Sequence, residues 1–229
     1  MREAPVAIVL AAGVGRRLEQ HELKQFVDLN GRAVIARTVA NLAGCSRIVV
    51  VHHPQHRDRT ERLLERAGSL PPLTLVPGGP TRRLSIAAAL AAISDLPETT
   101  PVVLQNAASP NTAPSLVVAC VAALETHEIA QAFVPAVHTV FRGDDGELSE
   151  VLQRSSLGYT ADPTAFRLSC LRTIVARQAG EGRDGEMTID SARAMGIAIR
   201  LVASPKSNIK LTTPNDLILL QHLTAGSRS

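Results

Sequence analysis

Short apolar runs alternate along the chain with amphipathic stretches. Pro5-Val6-Ala7-Ile8-Val9-Leu10 is apolar without interruption and predicts a strand covered on both faces. After a loop of small residues, Ala33 to Leu42 carries helical periodicity. Ile48-Val49-Val50-Val51, within Arg47 to His52, predicts a second buried strand. Gln55 to Ala67 is charged on one side with Leu63 and Leu64 on the other, the pattern of a surface helix. Leu73 to Val76 predicts a third strand, Arg82 to Ile93 a helix after a Gly-Gly turn, Val102 to Leu104 a fourth strand, Ser115 to Leu124 a helix, and Ala130 to Val137 a further strand. Strands alternating with helices predict an α/β fold with a doubly wound, mostly parallel sheet. Ligands of such a sheet bind beyond the carboxyl ends of its strands, so the loops after Leu10, Val76 and Leu104 are the first candidates.

The alternation breaks near Val137. Val137 to Arg142, the turn Gly143-Asp144-Asp145-Gly146 and Glu147 to Arg154 predict a projecting β-hairpin over residues 137–155, an arm of the kind that pairs with a second subunit. Beyond it come a helix over Leu168 to Gln178, the segment Thr188 to Met195, a strand over Ile197 to Val202, and a closing helix from Pro214 to Leu223 with Thr213 as its cap.

Composition narrows the partners. The 229 residues are 45% hydrophobic and 20% charged, which supports a sizeable core in a single domain over 1–229. The chain has no Trp and one Tyr, so Ala, Val, Leu and Ile must fill that core. A formal net charge of +3 suits a small anionic substrate; with so few aromatics it argues against nucleic acid. Cys45, Cys120 and Cys170 are scattered and predict buried thiols in a reducing compartment. The lack of a signal-like segment or an apolar run of about 18 residues leads us to expect a cytoplasmic protein without a membrane span.

The loop Ala11-Ala12-Gly13-Val14-Gly15-Arg16-Arg17, with Lys24 beyond it, holds the clearest chemistry. Small residues let backbone N–H groups close on phosphates, and fixed cations beside them stabilise charge that grows as a phosphorus is attacked. No Walker loop is present. The dinucleotide fingerprint fails because Leu18 stands at its third glycine and the second strand ends in His52-His53 rather than an acid. A plain glycine turn with solvated arginines is the alternative for this loop taken alone. His52, His53 and His56 lack a carboxylate to complete a metal site and predict a solvated loop. Asp144 and Asp145 are turn residues, and Arg57 to Arg66, interleaved with Glu61 and Glu65, is a solvated helix face. Arg82 and Arg83, at a helix start after Gly78-Gly79, are either surface cations or, for one of them, a nucleotide contact.

Taken together, five segments resemble the 2-C-methyl-D-erythritol 4-phosphate cytidylyltransferase family. They are Leu10 through Gln25-Phe26, Gly78 to Ser85, Asn106-Ala107-Ala108-Ser109-Pro110, Pro135 to Thr139, and Asn208-Ile209-Lys210 with Thr213 to Leu217. The resemblance implies a nucleotidyltransferase domain that joins CTP to a small phosphorylated acceptor of isoprenoid synthesis, releases pyrophosphate, uses Mg²⁺, and works as a homodimer through the 137–155 arm. It implies catalytic roles for Arg17, Lys24 and Lys210. Nucleotide contacts fall to Ala11, Ala12, Gly13, Gly15, Gly79, Arg82, Ser85, Asn106 and Ala107, and acceptor contacts to Thr139, Arg154, Ser109 and Asp190. Asn106 stands where the family has a magnesium-binding aspartate, and Ser109 where it has an arginine. His138 replaces the aspartate before the arm threonine, Asp162-Pro163-Thr164 replaces the family's TPQ triplet, and Ile189-Asp190-Ser191 its TDE triplet. These departures concentrate on the metal and acceptor side. Another polyol phosphate or phosphonate as acceptor, or a nucleotide-binding homologue without activity, are the alternatives. Asn106→Asp is expected to lower the Mg²⁺ requirement.

Overall fold

The computed structural model describes residues 4–13, 22–183 and 188–225. Its centre is a seven-stranded sheet. The first strand, β1 (Val6–Ala11), pairs in parallel with β2 (Arg47–His52) on one side and with β4 (Pro101–Asn106) on the other. β3 (Leu73–Pro77) extends the sheet beyond β2. On the far side come β8 (Gly158–Arg167), β5 (Ile129–Pro135) and β9 (Ile199–Ala203), giving the order β3-β2-β1-β4-β8-β5-β9. Helices α1 (Val34–Ala40), α2 (Arg57–Leu64) and α4 (Pro114–Ala123) lie on one face; α3 (Arg82–Ala91), α5 (Leu168–Gly180) and α6 (Thr188–Ala194) lie on the other.

The continuous apolar strands follow from this double cover. Along β1, Val6 and Ile8 pack with Ile86 and Ile93 of the α3 side, whereas Ala7 and Val9 pack with Ile35 and Val39 of α1. Alternate side chains enter opposite layers, so every position must be apolar. The three cysteines are buried, as expected, and burial pushes the Cys45 and Cys120 thiols up to about 12. Among the described residues no helix is long and apolar enough to cross a membrane.

Two differences from the sequence reading stand out. β8 was not anticipated. It runs antiparallel between β4 and β5, and its polar positions and internal Pro163 hide the strand pattern. His52 is 2% exposed rather than solvated, because as the last residue of β2 it is flanked by β1 and β3.

The arm is present as a separate two-stranded hairpin, β6 (Val140–Asp144) and β7 (Glu147–Leu152). Its turn places Asp145 at φ 47° and Gly146 at φ 87°, the two positive values a tight hairpin turn requires, which explains the Asp-Gly pair. The last helix, α7 (Pro214–Ala225), packs Leu220 and Leu217 against Leu29 and Val34.

Candidate active site

Strand order reverses between β1 and β4: the chain steps outward from β1 to β2 and β3, then returns to the other side of β1. A crevice forms beyond the carboxyl ends at such a point. Here it is a cleft of about 220 Å³, lined by the end of β1 with Ala11, Ala12 and Gly13, by Lys24 and Gln25, by Gly79 to Arg82 and Ser85, by Asn106 to Ala108 after β4, and by Lys210. Segments separated by up to about two hundred residues thus meet in one place, among them Ala11, Ala12, Gly13, Lys24, Gly79, Arg82, Ser85, Asn106, Ala107 and Lys210 from the sequence reading. Gly15, Arg16 and Arg17 lie outside the described residues.

Close backbone approach builds the floor. A Cβ on Gly78 would sit 2.4 Å from the Ala12 Cβ, so the loops after β1 and β3 approach this closely because position 78 is glycine, and one on Gly79 would sit 2.5 Å from the Leu84 Cβ, so the chain turns tightly into α3. Gln25 is 2% exposed, and its amide donates to the backbone oxygens of Ala11 (2.9 Å) and Gly13 (3.2 Å), tying the segment that carries Lys24 to the end of β1. Ser85 Oγ donates to the Gly79 oxygen at 3.3 Å. Thr81 caps α3 by accepting from the Leu84 N–H at 3.2 Å, which sets the helix start at the cleft wall. Lys210 is held in place by its neighbour: the Leu211 N–H donates to the Ala108 oxygen at 2.8 Å.

The charges converge on Asn106. Arg82 Nη1 donates to Asn106 Oδ1 at 3.2 Å, and Asn106 Nδ2 donates to Asp162 Oδ1 at 2.7 Å. Ser109 Oγ donates to the other Asp162 oxygen. Burial lowers the Arg82 pKa, against an opposing pull from Asp162, and an arginine stays cationic in any case. Of the two arginines left open by the sequence, Arg82 lines the cleft. The arrangement offers backbone amides and three cations, Lys24, Arg82 and Lys210, to a polyphosphate. For a divalent cation it offers the Asn106 amide oxygen with a carboxylate behind it. That donor set fits an ion carried in on phosphates rather than a protein cage. Among the described residues no group of three or more His, Cys, Asp or Glu could hold a metal.

Comparisons with known proteins give the family. Residues 6–224 match the family model for 2-C-methyl-D-erythritol 4-phosphate cytidylyltransferase. The chain belongs to this cytidylyltransferase family. A relative of that name from Cereibacter sphaeroides is 34% identical over 222 residues, covering 96% of both chains, and one from Bacillus licheniformis is 29% identical over 224 residues at the same coverage. The fold matches the solved 4-diphosphocytidyl-2C-methyl-D-erythritol synthase of Anaerococcus prevotii, with a TM-score of 0.81 at 21% identity over 96% of this chain and 98% of that one. It also matches the 2-C-methyl-D-erythritol 4-phosphate cytidylyltransferase of Thermus thermophilus, with a TM-score of 0.75 at 23% identity over 97% and 98%.

The residues the family resemblance assigns to the acceptor are not gathered in the same way. Ser109 is 1% exposed and its hydroxyl is turned to Asp162, so it stands behind the cleft wall rather than in it. Thr139 and Arg154 are exposed at the base of the hairpin, where Arg154 Nη1 donates to the Val137 oxygen at 3.1 Å. Asp190 is exposed on α6. None of these four lines the cleft. Sequence reasoning missed Gly78, Gln25, Thr81 and Asp162 as parts of the site. Gln25 had a signal, since it follows Lys24 in the family's opening segment. Thr81 had one too, as a Thr just before a helix.

Proposed function

We propose that the chain transfers CMP from CTP to a small phosphorylated polyol, by family 2-C-methyl-D-erythritol 4-phosphate, and releases pyrophosphate. The observation that carries this reading is the convergence of Lys24, Arg82 and Lys210 on a cleft floored by the Ala11–Gly13 backbone. A phosphate oxygen of the acceptor attacks the α-phosphorus of CTP. A new P–O bond forms in line as the bond to the β-phosphate bridging oxygen breaks, and the electron pair leaves with pyrophosphate. The attacking phosphate is already largely ionised near neutrality, so no residue need remove a proton. The chain's own contribution is positioning and charge. The backbone and the start of α3 seat the triphosphate. Lys24 and Lys210 face the charge that grows on the α-phosphate and the leaving oxygens, and Arg82 holds Asn106 at the rim. Mg²⁺, bound through Asn106 Oδ1 and the triphosphate, would neutralise part of that charge.

The acceptor site is completed by a second subunit whose arm brings Thr139 and Arg154 to the cleft. This rests on the exposure of the hairpin's Phe141 (61%), Leu148 (62%) and Val151 (61%), which a lone subunit leaves in water. One observation favours a second reading, in which the acceptor is another polyol phosphate or a phosphonate. The residue at the family's arginine position, Ser109, is both uncharged and turned away from the cleft, and a serine cannot replace a guanidinium fork at a phosphate. Pyrophosphate release, measured for each of the four common nucleoside triphosphates against a panel of polyol phosphates and phosphonates, tests both readings. Release from CTP with methylerythritol phosphate supports the first, and release from CTP with another acceptor alone supports the second. No release from any combination refutes both.

A further inference from the structure

A carboxylate stands behind the amide of Asn106. Position 106, at the end of β4, carries an amide, while an acid stands opposite it on β8, and the two side chains touch at 2.7 Å. Asp162 does not line the cleft; Asn106 does. Both oxygens of Asp162 accept from groups after β4, one from Asn106 Nδ2 and the other from Ser109 Oγ. Its backbone oxygen in turn accepts from Asn208 Nδ2 at 2.5 Å, in the segment that leads to Lys210. Asn208 is itself buried, donates to Ser204 Oγ at 2.9 Å and accepts from Thr112 at 3.0 Å, so the strand position of Asp162 is anchored from behind.

We propose that Asp162 is a positioning residue for the nucleotide site, acting through Asn106. A carboxylate accepts and cannot donate, so it selects the amide nitrogen of Asn106 and turns the amide oxygen toward Arg82 and the cleft. The hydrogen bond to an anion polarises the amide, which draws negative charge onto the oxygen that faces the triphosphate and its cation. Asn106 thereby does part of the work of a carboxylate while the formal charge sits one side chain further back. The inference rests on the reading of the cleft as a CTP site. On this proposal Asn106→Asp alone does more than supply a better metal ligand. That change sets two carboxylates against each other across a contact of 2.7 Å, which is unfavourable in the ligand-free protein.

Three variants test this. Asp162→Asn keeps the shape and allows both hydrogen bonds to re-form, with its oxygen on Asn106 and its amide on the Ser109 hydroxyl, but removes the charge. Asn106→Asp adds the second charge. The double variant Asn106→Asp/Asp162→Asn exchanges the two groups and restores every contact with the charge in front. The readouts are CTP binding by titration calorimetry across a Mg²⁺ series and thermal melting in chelator, neither of which needs turnover. The Mg²⁺ concentration for half-maximal CTP binding is expected to rise about tenfold in Asp162→Asn, as for replacing a charge-assisted hydrogen bond by a neutral one. In the double variant it returns to the wild-type value or below. Melting in chelator is lowered by Asn106→Asp and regained in the double variant. A wild-type Mg²⁺ profile in Asp162→Asn, or a double variant no better than the single ones in both readouts, overturns the proposal while leaving the CTP site intact. A wild-type protein that binds no CTP at any Mg²⁺ concentration overturns the CTP reading and this inference with it.

Discussion

The cleft and the arm are built on opposite principles. Around the cleft the chain closes on itself: β1 and β2 are buried on both faces, the loops after β1 and β3 interlock through Gly78 and Ala12, and Gln25, Ser85 and Asn208 fix neighbouring backbone. The hairpin forms a two-stranded sheet of its own. Its strands are exposed nearly throughout, and its cross-strand ion pair, Arg142 to Glu150 at 2.7 Å, is between groups more than half in water, where such a pair adds little. A two-stranded hairpin of this kind is marginal in isolation. On the proposed reading, the triphosphate side of the reaction is provided within one chain and the acceptor side by a second.

That contrast predicts a graded series of losses. Lys24→Ala, at the cleft, should reduce turnover about 10²-fold or more, by analogy with removal of a preorganised donor from an oxyanion site, with thermal melting little changed. Near-normal turnover in the purified variant would remove Lys24 from the chemistry. Arg82→Ala should weaken CTP binding about tenfold, since it removes a cation and strips Asn106 Oδ1 of its donor; calorimetry at fixed Mg²⁺ gives the value, and unaltered affinity would make Arg82 a bystander.

Gly78→Ala probes the interlocked floor. Its Cβ must displace Ala12, so a cost of about 1–3 kcal/mol in unfolding free energy is expected, with a few-fold loss of turnover. A denaturant midpoint equal to that of the wild type would show that the two loops give way easily. At the arm, Phe141→Asp should leave the melting of the single chain unaltered, because Phe141 is already 61% exposed, yet shift sedimentation from dimer to monomer. Mixing Lys24→Ala with Arg154→Ala subunits should then restore part of the activity, and a monomeric wild type would end the shared-site scheme.

The sheet was legible because burial on two faces writes long apolar runs. Val6 to Leu10 and Ile48 to Val51 could be read as strands without knowing what covers them. β8 was hidden by the same physics, since Gly158, Asp162 and Pro163 break the run and its partners lie far along the chain. In the cleft, residue types that bind phosphate stood out next to their glycines, and Arg82 was singled out as one of two. The network behind Asn106 was not readable: Asp162 lies 56 residues from Asn106 and 53 from Ser109, and only the antiparallel pairing of β8 with β4 brings them together. The side chain of Ser109 is directed to Asp162, a partner that its position in the motif does not reveal.

Cytidylyl transfer at this cleft is tested most directly by ³¹P NMR of wild-type protein with CTP, Mg²⁺ and methylerythritol phosphate or the other polyol phosphates and phosphonates. The expected spectrum shows two mutually coupled phosphorus signals of a new P–O–P linkage between CMP and the acceptor, with one pyrophosphate for each CTP consumed, and the same signals growing about 10²-fold more slowly with Lys24→Ala. A spectrum in which CTP and every acceptor remain unchanged under the wild-type protein would contradict it.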